Sequence, residues 1–78
     1  MSGTNQVAAV VELSSRSPKS FEDAIQQGIR SVGRDRLQFV SSAWVKEQRV
    51  DVEAGHVVGY QVNLLVTFLV PEGKPLML

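Results

Sequence analysis

Polar and apolar positions change their period along this chain, and each change predicts an element. The run VAAVVEL, Val7 to Leu13, is rich in β-branched residues and follows no helical stripe, which predicts a strand. It is expected to stop at SSRSPKS, where Ser and Pro mark a loop. Phe21, Ala24, Ile25, Gly28, Ile29 and Val32 then recur at the spacing that places them on one helical face, with Glu22, Gln26, Gln27 and Arg30 on the other. Ser20 opens a capping box with Asp23, whose carboxylate suits the first-turn amides, and Gly33 suits the helix end. Gly28 lies within the apolar stripe, where it costs about 1 kcal/mol relative to alanine. That cost predicts a close approach of helix to sheet.

From Leu37 onward the period becomes two. VEAGHV reads as a tight hairpin turn with Ala54 and Gly55 at its tip, joining a strand through Trp44 and Val52 to a strand from Val57 to Val70. In the last strand Tyr60, Val62, Leu64, Val66, Phe68 and Val70 share one face, apolar enough to lie under the helix. Gln61, Asn63, Leu65, Thr67 and Leu69 share the other, where Leu65 and Leu69 are out of place for a lone subunit. A two-residue turn sets Glu53 opposite His56. Counting back from it pairs Ala43 with Val66 and Val45 with Leu64 on the helix side. The same count pairs Trp44 with Leu65, Lys46 with Asn63 and Gln48 with Gln61 on the side away from the helix. The expected fold is therefore α+β: a strand-helix-strand-strand subunit whose three-stranded antiparallel sheet packs on one helix. The only tryptophan of the chain falls outside the subunit's own core.

Composition narrows the functions open to such a unit. With 78 residues the chain forms one domain, expected over residues 7–70, with tails at 1–6 and 71–78. A core of that size leaves much surface wet, so association between copies is the economical way to bury more. Cysteine is absent and His56 is the only histidine, which removes disulfides, thiol nucleophiles and a closed zinc site within one chain. Lys and Arg number 8 against 8 Asp and Glu, a balance that argues against a nucleic-acid partner. No apolar run approaches the roughly 20 residues that span a bilayer, and the reading is of a cytoplasmic protein without a membrane partner. No Gly-x-Ser-x-Gly elbow accompanies the serines, and GIRSVGR lies in and after a helix rather than before one, so it lacks the geometry of a phosphate loop. An enzyme is not expected. Asp51 and Glu53 share a strand face and could attract a hard cation such as calcium with help from a second subunit.

The segments VVEL, SPKSFEDAI and EAGHVVGYQVNLLVTF, with Glu47 and Arg49 between them, resemble the dodecin family of small flavin-binding proteins across Val7 to Val70. The resemblance implies a hollow homo-dodecamer and a bound FMN or riboflavin, its ring stacked on a tryptophan of the second strand and its pyrimidine edge bonded by a glutamine of the third. Trp44 and Gln61 are the candidates. Aligned without gaps from Tyr60 and Gln61, the family pattern places Ser42 at the stacking position. Trp44 then lies on the same face about 7 Å further along the strand. Lys46 and Gln48, on the face inferred above, are candidates for a phosphate or ribityl chain.

Two readings follow. In one, a flavin is stored or scavenged without turnover, held by stacking and amide hydrogen bonds in a homo-oligomeric shell. In the other, the same assembly is flavin-free and structural, with Trp44 packed between subunits and a metal such as calcium bound.

Overall fold

A computed structural model of the chain describes residues 6–71, with side chains over 7–69. The elements run β1 (Gln6–Ser17), α1 (Phe21–Arg30), α2 (Arg34–Leu37), β2 (Val40–Glu53) and β3 (His56–Pro71). The sheet order is β1-β3-β2, with both pairings antiparallel, so the longest strand lies at the centre. The expected strand-helix-strand-strand subunit is what forms. The tails expected at 1–6 and 71–78 lie outside the described residues, apart from Gln6 and Pro71 at the strand ends, as does the side chain of Val70.

β1 continues four residues past Leu13, because Ser14, Ser15, Arg16 and Ser17 pair with Asn63, Val62, Gln61 and Tyr60. Its apolar signal stops early for a steric reason. The inward position there is Ser15, under the point where α1 comes closest: a Cβ built on Gly28 would meet Leu64 Cδ1 at 2.8 Å, Leu13 Cδ1 at 3.1 Å and Ser15 Cβ at 3.1 Å. Small residues on both elements permit the close approach expected from Gly28.

The corner into α1 is tied by polar groups. Asp23 N–H donates to Ser20 Oγ at 2.9 Å, as the capping box requires. Ser17, 1% exposed, donates its hydroxyl to Asp23 Oδ2 at 2.6 Å and accepts from Lys19 N–H at 2.9 Å. Both roles of the buried hydroxyl are filled. At the other end α1 stops at Arg30, where Ser31 N–H returns to Gln27 and Gly28 carbonyls. Gly33 then takes φ +100°, and residues 34–37 form a short helical turn instead of the strand start expected at Leu37.

Ala24, Val62, Leu64, Val66 and Phe68 are fully buried, and Val11, Leu13, Phe21, Ile25, Val32, Phe39, Val40, Ala43 and Val45 pack around them. Tyr60 meets Phe21 edge to face, with ring centroids 5.1 Å apart. The even-numbered face of β3 is thus the floor of the core, as its pattern predicts. A helix of ten residues covers only about 15 Å of a far longer sheet. Beyond its end Val50, Val52 and Val57 stay exposed on the helix side of the hairpin. The turn forms at Ala54 (φ 50°) and Gly55 (φ 80°), with Glu53 opposite His56 as counted.

Candidate functional site

The sheet face turned away from α1 is the candidate site, and its composition follows from register. Three irregularities interrupt the pairing of β2 with β3, one at Ser41 beyond the Ser42 row and two nearer the turn. Near the turn Val52 pairs with Val57 but Asp51 with Gly59, leaving Val58 extra on β3. Further along, Glu47 pairs with Asn63 but Val45 with Leu64, leaving Lys46 extra on β2. The latter two cancel, so Trp44 stands opposite Leu65 as counted from the turn, and the residue is 67% exposed. Between them every partner is offset by one residue. The expected facing of Lys46 with Asn63 and of Gln48 with Gln61 is therefore corrected: Glu47 faces Asn63, and Arg49 faces Gln61. Gln48 pairs with Val62, a residue of the helix-facing core, and so belongs to the opposite side.

The open face reads as rows across β1, β3 and β2. Nearest the hairpin is Arg16, Gln61, Arg49; then Ser14, Asn63, Glu47; then Glu12, Leu65, Trp44; then Val10, Thr67, Ser42. Successive rows are about 7 Å apart. The first two rows are cross-linked by hydrogen bonds. Arg49 Nη2 donates to Gln61 Oε1 at 3.1 Å, Ser14 Oγ donates to Asn63 Oδ1 at 2.9 Å, and Asn63 Nδ2 donates to Glu47 Oε1 at 3.2 Å. Arg16 crosses β3 over Gly59, whose missing side chain admits the guanidinium, and pairs with Asp51 at 2.8 Å. Lys46 crosses in the other direction to Glu12 at 3.2 Å. Both ion pairs are half exposed, so each contributes about 0–1 kcal/mol.

A concavity of about 360 Å³ lies against Glu47, Gln48, Arg49, Gln61 and Asn63. Trp44 stands in the adjoining row, beside an apolar strip of Leu65 and Val10 that is unlike the polar rows nearer the turn. Ser42 lies one row past Trp44, away from the concavity. Of the residues singled out from sequence, Trp44, Ser42, Lys46 and Gln61 share this face, while Gln48 pairs with core-facing Val62 yet still borders the concavity. Asp51 accepts from Arg16, and no group of three potential metal ligands occurs among the described residues.

Glu47 and Arg49 escaped the sequence reading as site candidates, and Asn63 was given the wrong partner, because a constant count from the turn passes over these two bulges. A signal for them exists. Inward apolar residues of β2 are odd-numbered at Ala43 and Val45 but even-numbered at Val50 and Val52, and in β3 Val57 is out of phase with Tyr60 to Phe68. A phase change inside a strand is the mark of an inserted residue.

A strand-helix-strand-strand unit with one clad and one bare sheet face defines a two-layer α+β subunit. The dodecin family model matches residues 7–71, and the chain belongs to the dodecin family. Comparison with curated proteins gave no match. Among solved structures, an arginine-to-alanine variant of Thermus thermophilus dodecin superposes with TM-score 0.73 at 34% identity, over 87% of this chain and 98% of that one. A tryptophan-to-phenylalanine variant of the same dodecin gives 0.73 and 34%, over 87% and 100%. A calcium-chelating antigen of Mycobacterium tuberculosis, calcium dodecin, gives 0.66 and 30%, over 90% and 99%.

Proposed function

We propose that the protein is a non-catalytic binder of flavin, FMN or riboflavin, which it stores or scavenges in a homo-oligomeric shell, the dodecamer of its family. The observation that carries this reading is the exposed indole of Trp44, set between an apolar strip and a polar concavity on the sheet face that no helix covers. A flat conjugated ring gains large contact area on an indole. Carboxamide and carboxylate groups in the neighbouring rows suit the polar edge of such a ring, so the residues present fit a flavin. Because Trp44 lies two residues beyond the position the family pattern assigns to stacking, the ligand is displaced with it, toward the row of Asn63 and Glu47. A bound flavin would bring a redox-active, absorbing ring; the chain's own part is to hold it and exclude water. Association between copies is supported by Val10, Leu65 and Leu69 on one face of a chain too small to bury them.

Titrating riboflavin with the purified protein tests this reading. Flavin fluorescence is expected to be quenched on binding, and Trp44→Ala to weaken binding at least about 10-fold while leaving the assembled mass unchanged, from the loss of one to a few kcal/mol of aromatic contact. Absence of quenching by the wild-type protein would contradict it. The calcium reading draws on the Mycobacterium tuberculosis relative; here Asp51, one of its two carboxylates, is engaged by Arg16.

A further inference from the structure

Gly59 is a glycine for a reason its backbone does not supply. Its φ lies outside the positive range that Gly33 and Gly55 adopt, so a side chain there would meet no backbone penalty. What is used is the space: a Cβ built on Gly59 would meet the guanidinium of Arg16, with Cζ at 2.7 Å and Nε at 2.9 Å. We propose that Arg16 and Asp51 form a clamp over Gly59 that selects the register of β2 between Lys46 and Val58. Arg16 is then a positioning residue for the open face, on which it sets Glu47 and Arg49 in place of Lys46 and Gln48. The clamp acts on the face itself, whichever ligand occupies it.

Two registers are open to this segment. The insertions at Val58 and Lys46 cancel, so the turn and the pairing at Val45 are the same with both or with neither. With neither, the count from Glu53 and His56 sets Val50 opposite Gly59 and Gln48 opposite Gln61. With both, Asp51 stands opposite Gly59 and Arg49 opposite Gln61. Successive residues of a strand alternate in side, so only the second register brings the Asp51 carboxylate to the face that Arg16 crosses. There Arg16 Nε donates to Asp51 Oδ2 at 2.8 Å. The reach starts from a fixed point, because the adjacent Ser17 is buried and its hydroxyl is bonded in both roles. It ends beside the inserted Val58, tying β1 to β2 across β3 where the ladder is interrupted. The register without insertions completes the ladder but sets Glu47 against Val62, which is 0% exposed. These opposed costs are confined to a few residues and leave a small net difference. A half-exposed ion pair adds little against global unfolding, but it is large enough to act on a difference of that size.

The chain has no cysteine, so introduced pairs report the register without background. Gln61→Cys is combined either with Arg49→Cys, its neighbour in the register with both insertions, or with Gln48→Cys, its neighbour in the register with neither. Under mild oxidation the first pair is expected to close at least about 10-fold faster, since a disulfide needs both side chains on one side of the sheet. Adding Arg16→Met to each is expected to narrow that ratio about two- to fivefold. Gly59→Val should narrow it by a similar factor, because it displaces the guanidinium while both charges remain. A contribution to stability alone would lower the unfolding midpoint of the Arg16→Met and Gly59→Val proteins and leave the ratio unchanged, and that result would overturn the proposal. So would a Gln48 pair that closes as fast as the Arg49 pair with the clamp intact.

Discussion

The two faces of β3 differ sharply in what covers them. On one side Val62, Leu64, Val66 and Phe68 are wholly buried under α1 and its flanks; on the other Gln61, Asn63, Leu65, Thr67 and Leu69 remain part exposed. Both faces are built from the same strand, with the same backbone pairing. One obeys a single demand, removal of apolar surface from water, and its side chains are interchangeable in kind. The other is specified residue by residue through cross-strand neighbours, so one inserted residue changes its chemistry without disturbing the core.

Substitutions on the two faces should therefore separate in size and in what they affect. Leu64→Ala removes a fully buried side chain and is expected to destabilise the subunit by about 2–5 kcal/mol in denaturant unfolding. Its sequence neighbour Leu65→Ala should cost the subunit less than about 1 kcal/mol and act instead on association or ligand binding, read as assembled mass and riboflavin affinity. Equal losses at the two positions would erase the distinction between the faces. Gly28→Ala is intermediate. Its new methyl would lie 2.8 Å from Leu64 Cδ1, which the packed core holds in place. Overpacking of about 1–3 kcal/mol should exceed the roughly 1 kcal/mol gained in helix propensity. A net stabilisation would mean that helix and sheet are further apart than described. The smallest effect belongs to the hairpin, where Ala54 is the only non-glycine residue with positive φ among those described. Ala54→Gly should stabilise by roughly 0.5–1 kcal/mol, seen as a rise in the unfolding midpoint, with riboflavin affinity unchanged.

Most of the clad face was legible in the sequence because burial repeats with the period of the element. The helix stripe, the cap at Ser20, the close approach at Gly28 and the even-numbered floor of β3 each have one dominant cause. The turn at Ala54 and Gly55 was legible through its own chemistry, and it carried Trp44 to the correct side. The open face was legible only where the two bulges cancel. Between Lys46 and Val58 the count from the turn failed, which exchanged Gln48 and Lys46 for Arg49 and Glu47. The serines of β1 were read as loop because an inward serine beneath a close helix looks the same in sequence as a polar connection. The short turn of residues 34–37 carried no apolar stripe long enough to announce it.

A crystal structure of the protein grown with riboflavin tests the central claim most directly, because it reports ring position and edge contacts together. The flavin ring is predicted to lie against the indole of Trp44, with its pyrimidine edge turned toward the Glu47 and Asn63 row. A Trp44 ring covered by another subunit's side chains with flavin absent from the face, or a flavin bound elsewhere on the molecule, would contradict the account.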